Sequence, residues 1–350
     1  MSLSPSTDND PRLEPLTRWL ESLAPSQGLA LETLRPASSD ASFRRYFRLD
    51  SRLGTVIVMD APPPHEDCRP FLHVTELLQE VGINVPKVLA QDVEQGLLLL
   101  SDLGPSTYYQ AVHAGLDDAT LQTIYRDAIH ALVRMQHART ENLPAYDEPR
   151  FLQELALFPQ WYVQTHCGAE LSADEQTMLH STFALLAHDN AAQPTVLVHR
   201  DFHSPNLMVC ASPEFGPNPG VIDYQDALAG PLTYDIASLV MDARTTWEEE
   251  QQLDWAIRYW DAARTAGLPI APDFADFHRA YEWMSLQRNL RILGVFARLS
   301  HRDGKHHYLD HMPRVNNYVR QVASRYGVFK PLLRLLDRLD NRPMQFGYTF

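Results

Sequence analysis

His199-Arg200-Asp201-Phe202-His203-Ser204-Pro205-Asn206 is the stretch on which the reading of this chain turns. Apolar runs at 196–198 and 207–209 flank it and read as short strands, so the octapeptide is a tight polar turn between two β segments. A third apolar pair, Val221-Ile222, ends in Asp223. These runs are a β-rich interruption in a region of helical texture. Residues 118–139 place Leu121, Ile124, Ala128, Leu132 and Met135 on one face, and helices resume from Tyr234 with Pro269, Pro272 and Pro313 as breaks.

Upstream of residue 101 the texture changes. Leu13, Leu16, Trp19, Leu20 and Leu23 recur at helical spacing until Pro25 and Gly28. Residues 29–35, 43–49 and 55–59 are β-type runs joined by Ser, Asp and Gly turns. Beyond Pro62-Pro63-Pro64 the spacing predicts a helix over 69–81, then strands at 87–91 and 97–100. The order β-β-β-α-β-β closes near Ser101-Asp102-Leu103-Gly104-Pro105. The expected class is α+β and bilobal: a small antiparallel-sheet lobe over residues 1–101 and a mostly helical lobe over 102–350.

The 350 residues are 45% apolar and 21% charged, enough for a large core. A net charge of −14 argues against a nucleic-acid or anionic-membrane binder driven by bulk charge. The charge is uneven along the chain. Residues 281–350 hold 12 Lys and Arg against 5 Asp and Glu, and the only lysines anywhere are Lys87, Lys305 and Lys330. Cys68, Cys167 and Cys210 are far apart and form no CxxC, which fits a reducing cytoplasm better than a disulfide framework or a zinc knuckle. No export signal or membrane-spanning run is apparent, the longest aliphatic stretch being residues 97–100.

The octapeptide carries H-R-D-x-x-x-x-N at all four fixed positions. Phosphoryl transfer needs a carboxylate to orient and deprotonate the attacking hydroxyl, and an amide oxygen nearby to hold magnesium. Asp201 and Asn206 supply those groups from one turn. Asp223, at a strand end, is a second metal-ligand candidate. Downstream, Asp235 in Gly230-Pro231-Leu232-Thr233-Tyr234-Asp235 reads as a helix-start residue that braces the catalytic loop.

These motifs, in this order, resemble the aminoglycoside phosphotransferase/choline kinase superfamily, which shares the protein-kinase-like fold. Within it, residues 56–64 (Val-Ile-Val-Met-Asp-Ala-Pro-Pro-Pro), the loop written HRDFHSPNLM and residues 286–294 (Leu-Gln-Arg-Asn-Leu-Arg-Ile-Leu-Gly) are similar to the anomeric sugar kinases. That resemblance implies ATP and Mg²⁺ as cofactors. It implies phosphorylation at C1 of N-acetylmuramate and N-acetylglucosamine in peptidoglycan recycling, by a monomer or weak homodimer.

Two departures stand out. The third strand has no lysine, and the turn at residues 38–45 has no glycine-rich loop. Lys87 reads as a strand-start surface residue, and Glu76 either salt-bridges an arginine or faces water. Backbone groups and hydroxyls of residues 39–42, Ser39 and Ser42 among them, with Arg44 or Arg45, are candidates to hold the triphosphate. The alternative for both arginines is a solvated strand. Adenine is expected on backbone groups around Leu100, Asp102 and Leu103.

For the acceptor, a lactyl carboxylate calls for basic side chains and a polycationic antibiotic for acidic walls. His203, Arg288, Asn289 and Arg291 are the sugar-site candidates, against a solvated basic helix face. Asp226 either bonds a sugar hydroxyl or buttresses the metal site. His301, His306, His307 and His311 read as a polar loop, and Trp247, Trp255 and Trp260 as core. Two competing readings remain: an antibiotic or choline-type kinase, and a kinase-like binding module without catalysis.

Overall fold

The computed structural model describes residues 10–37, 43–52, 54–63 and 65–341, which form two units. The first comprises Met1–Pro105 with Met208–Asp226, the second Ser106–Leu207 with Ala227–Phe350.

In the first unit, β1 (Ala30–Pro36), β2 (Arg45–Ser51), β3 (Gly54–Asp60), β4 (Val88–Asp92) and β5 (Leu97–Ser101) form one antiparallel sheet in the order β1-β2-β3-β5-β4. The period of two sorts its side chains. Leu49, Val56, Val58, Leu97 and Leu99 pack with Leu16 and Leu20 of α1 (Leu13–Gln27). Tyr46, Ile57, Met59, Leu98 and Leu100 therefore take the opposite face. Helix α1 runs through Pro25 and ends, as expected, at Gly28, which forms a left-handed cap. Gly96, at φ +69°, lies so close to the Ala61 carbonyl that any side chain would collide, and Ala61 donates its N–H to the Gly96 carbonyl at 2.8 Å.

Asp60, fully buried at the end of β3, joins the helix to the sheet. It accepts Arg12 Nη2 at 2.5 Å on one oxygen and Arg45 Nη2 at 2.5 Å on the other, and Arg45 also pairs with Asp10.

Met208–Asp226 belongs to the first unit, where a single break after residue 101 was expected. Asn84 explains why. Its amide donates to the carbonyls of Phe215 and Pro217, both at 2.8 Å, and its own carbonyl accepts from Val221 N–H at 2.8 Å. The Tyr224 ring stacks on Phe71 of α2 (Arg69–Glu80), and its hydroxyl meets Thr75 Oγ1 at 2.8 Å.

The second unit is helical: α3 (Tyr108–Gly115), α4 (Asp118–Met135), α5 (Glu148–Leu155), a π-helical turn (Phe158–His166), α6 (Ala173–Ala191), α7 (Tyr234–Val240), α8 (Glu249–Thr265), α9 (Phe274–Asp303), α10 (Met312–Arg325) and α11 (Lys330–Leu339). Strand β6 (Thr195–Val198) pairs with β9 (Leu228–Pro231), a strand the hydropathy pattern does not announce because Gly230 and Pro231 sit in it. Short strands β7 (Leu207–Met208) and β8 (Gly220–Val221) make a second ladder. Every residue of α9 from Tyr281 to Leu290 is buried, so the middle of this helix is enclosed on all sides. Gly294 lets α9 approach the Leu157 backbone, which a Cβ would meet at 2.5 Å. Trp255 is core, its ring stacked on Tyr125 with centroids 4.0 Å apart. None of the helices among the described residues is long and apolar enough to cross a membrane.

Asp60→Ala would leave two guanidinium groups without their buried counter-ion, so it should cost about 3 kcal/mol in urea unfolding. Asp50→Ala breaks only the half-exposed pair with Arg35 and should stay within about 0.5 kcal/mol of wild type.

Candidate active site

The catalytic loop leaves β6 at Val198 and turns at once. His199 N–H and Arg200 N–H donate to the two oxygens of Asp235, at 2.7 and 3.0 Å, and Arg200 takes φ +76°. A β-branched or bulky residue resists that conformation, and the two bonds from a buried carboxylate hold it. Asp235 is thus the brace expected from its place in α7. Burial first, and the neighbouring Asp201 charge, push its carboxyl up to about 7, although both N–H donors and Arg288 act the other way.

Asp201 follows, partly buried. Its carbonyl accepts His203 N–H at 3.0 Å and Asn206 Nδ2 at 2.9 Å, and His203 O accepts Asn206 N–H at 2.9 Å. The amide nitrogen of Asn206 therefore faces the loop. Burial raises the Asp201 carboxyl, but Arg291, His203, Arg288 and Arg200 outweigh it and hold the group at about 2. At neutral pH it is ionised.

Two groups around this loop escape a reading of the sequence. Glu154 on α5 accepts Arg200 Nη2 at 2.8 Å and the Tyr146 hydroxyl at 2.5 Å, and pairs with Arg291 Nε at 3.2 Å. It neutralises the two arginines that flank Asp201. Asp242, wholly buried after α7, accepts Ser204 N–H at 3.0 Å, the Ser204 hydroxyl and Arg244 N–H at 2.7 Å, and lies 3.6 Å from His203 Nδ1. Burial raises its carboxyl, but the His203 contact and the Ser204 and Arg244 donors win and set it at about 2. Its sequence signal is faint: one acid closing the apolar run Ile236 to Met241.

Arg288 is not on a solvated face. It is 2% exposed, with Nε and Nη1 buried and without a hydrogen-bond partner among the described residues, within electrostatic reach of Asp201 and Asp235. Neighbouring Asn289 is fully buried, and its Oδ1 also lacks a partner. A buried guanidinium left so is costly unless an anion completes it.

In the first unit, Asp223 is exposed on a residue at φ +66°, and Gln225 Nε2 donates to it at 2.9 Å and to Asp226 at 3.2 Å. Arg44 pairs with Glu66 at 3.2 Å and lies 3.9 Å from Asp226. The second phosphate candidate, Arg45, is neither solvated nor beside Asp223: its guanidinium is taken up by Asp60 and Asp10 on the α1 side of the sheet. The Asp102 side chain is likewise committed, to Arg48 Nη2 at 2.9 Å and the Thr55 hydroxyl at 2.7 Å. Leu100 is buried on the face opposite α1, and the Leu103 carbonyl accepts the Cys210 thiol at 3.5 Å. Ser39 and Ser42 lie outside the described residues. Among the described residues, no three His, Cys, Asp or Glu side chains cluster as metal ligands.

Residues 33–283 match the profile described as phosphotransferase enzyme family. A Pseudomonas aeruginosa protein named N-acetylmuramate/N-acetylglucosamine kinase is 44% identical over 339 residues, covering 95% of this chain and 98% of that protein. A protein of the same name from Neisseria meningitidis is 42% identical, covering 96% and 98%. Among solved structures, aminoglycoside phosphotransferase APH(2'')-Ib with ADP bound superimposes with TM-score 0.57 at 13% identity, over 87% of this chain and 98% of that one.

A carboxyl held at about 2 in the folded protein binds fewer protons than its unfolded counterpart between that value and about 4. Asp242 should therefore contribute stability that is complete above pH about 4 and lost as the pH falls through about 2. Asp242→Asn should cost about 2 kcal/mol in urea unfolding at neutral pH, and the gap to wild type should shrink as the pH is lowered below about 4.

Proposed function

We infer that this chain, which belongs to the phosphotransferase enzyme family, transfers the γ-phosphoryl group of ATP to the anomeric hydroxyl of N-acetylmuramate and N-acetylglucosamine. The observation that carries the choice of acceptor is Arg288. A buried guanidinium with two unpartnered nitrogens near the catalytic carboxylate is complementary to a sugar acid. A polycationic antibiotic would bring positive charge against Arg288 and Arg291. The shared name of the two relatives, over nearly their whole length, supports the same reading.

Asp201, ionised, orients the C1 hydroxyl and accepts its proton at a carboxylate oxygen. Its low basicity is tolerable because an anomeric hydroxyl is more acidic than an ordinary alcohol, and because in a loose transition state most of the proton transfer comes late. His203, seated by Asp242, and Asn289 offer hydrogen bonds to the sugar, and Arg288 takes the lactyl carboxylate. Asp226 buttresses the turn of Asp223 through Gln225. Asn206 and Asp223, by their motif positions, are the magnesium ligands, and two hard oxygen donors suit that ion. Held by these two residues, the ion would supply positive charge against the phosphate oxygens during transfer. Backbone groups around Leu100 and Leu103 take the adenine.

With ATP and a panel of sugars, phosphorus NMR should find phosphate on O1 of both amino sugars; phosphate only on an aminoglycoside or choline hydroxyl, or no turnover at all, would overturn the reading. Asp201→Asn should lower kcat by about 1,000-fold or more while ATP still binds. Arg288→Ala should raise KM for N-acetylmuramate about 10- to 100-fold and leave that for N-acetylglucosamine much closer to wild type.

A further inference from the structure

Kinases hold the α- and β-phosphates with a third-strand lysine that a helix glutamate keeps in place. This chain has neither part of that device in the usual position. On β3, Met59 and Ile57 fill the face opposite α1, both apolar, and Glu76 on α2 is exposed. The same face carries another cation. Arg44, immediately before β2, has a mostly buried guanidinium whose Nε pairs with Glu66 at 3.2 Å, and Glu66 is itself mostly buried. Its Nη2 end points toward Asp226, at 3.9 Å, beyond hydrogen-bond length. The Tyr46 hydroxyl, next on that face, bonds Arg44 and feels Asp223 and Glu66. Arg44 and Asp223 thus both lie within electrostatic reach of that one hydroxyl.

An independent contact holds the pair together. The rings of Phe43 and His65 stack with centroids 4.5 Å apart and planes 16° from parallel, clamping residues 43–44 against 65–66.

We propose that Arg44 is the phosphate-holding cation of this chain and that Glu66 is its positioning residue, the pair replacing the lysine–glutamate device. The guanidinium fork suits the task. Glu66 takes the Nε edge, and the Nη2 end, turned toward Asp226, is the edge that phosphate oxygens would meet. Arg45, one residue on, cannot share this work because strand alternation sends it to Asp60 on the other face. The proposal rests on the ATP reading above but not on the sugar.

Calorimetric titration of the full chain with ADP and with adenosine, without any acceptor, tests it. Arg44→Ala should weaken ADP about 10- to 100-fold and leave adenosine unchanged, with Arg44→Lys recovering part of the loss. Glu66→Gln should weaken ADP about 3- to 10-fold. The double variant Arg44→Ala/Glu66→Gln should bind ADP no more weakly than Arg44→Ala alone, because Glu66 acts only through Arg44. Wild-type ADP affinity in Arg44→Ala, or additive losses in the double variant, would overturn the proposal. Should Arg44→Ala unfold in a thermal melt, Arg44→Lys and Glu66→Gln carry the test, and equal losses for ADP and adenosine would overturn it. Failure of the sugar reading would appear separately, as intact ADP binding with no transfer to either amino sugar.

Discussion

Two backbone N–H groups, those of His199 and Arg200, converge on the oxygens of the single buried carboxylate Asp235, and the catalytic loop is built on that convergence. The turn needs φ +76° at Arg200, a conformation costly for a long side chain. The cost is met three times over: by Asp235 on the amide, by Glu154 on the guanidinium, and by the Tyr146 ring 5.7 Å beneath it. Once Arg200 is fixed, Asp201 emerges in one direction only. The bonds from His203 and Asn206 to its carbonyl then set the rest of the turn.

The same few residues separate two carboxyls by burial and charge. Among the described residues Asp235 has no cation in hydrogen-bond contact, and it drifts up to about 7, while Asp201, facing Arg291, His203, Arg288 and Arg200, is held at about 2. Each influences the other, because an ionised Asp201 is one reason Asp235 prefers its proton. Their pH signatures are opposite in sign. A raised carboxyl such as Asp235 contributes stability that is full at acid pH, below the unfolded value near 4, and is lost as pH rises through about 7; a depressed one such as Asp201 or Asp242 loses its contribution on the acid side. Glu154 adds a second layer, since without a carboxylate to share them Arg200 and Arg291 would have Asp201 as the nearest anion.

What could be read in advance follows the range of the interactions. The catalytic loop is local: the carboxylate, the amide and the strands that flank them lie within fourteen residues, so spacing alone was informative. The β-β-β-α-β-β order was legible for the same reason, with strand ends displaced by a residue or two. Partners distant in the chain were not. Glu154 looks like any polar residue of an amphipathic helix, and Glu66 like a loop acid after prolines. The choice between Arg44 and Arg45 depends on which of two adjacent residues takes which face of a sheet. The return of Met208–Asp226 to the first unit was hidden because it depends on one asparagine, Asn84, satisfying backbone groups more than 120 residues away.

Bulk charge misleads in an instructive way. The C-terminal excess of basic residues would by itself favour an anionic acceptor, yet most of those arginines are already consumed. Arg320 is held by Asp337 and Asp340, Arg325 by Glu249 and Glu282, and Arg338 by Glu175. Arg314 bonds the Ala243 carbonyl and the Thr246 hydroxyl. These contacts tie α10 and α11 to the rest of the second unit and present little uncompensated charge. Arg291 is partly offset by Glu154, whereas Arg288, in the enclosed middle of α9, keeps both Nε and Nη1 buried without a partner among the described residues. A desolvated cation in a low-dielectric setting attracts an anion more strongly than several hydrated ones on a surface. The case for a sugar acid therefore rests on one buried guanidinium near Asp201, and the regional charge count pointed toward it for a different reason.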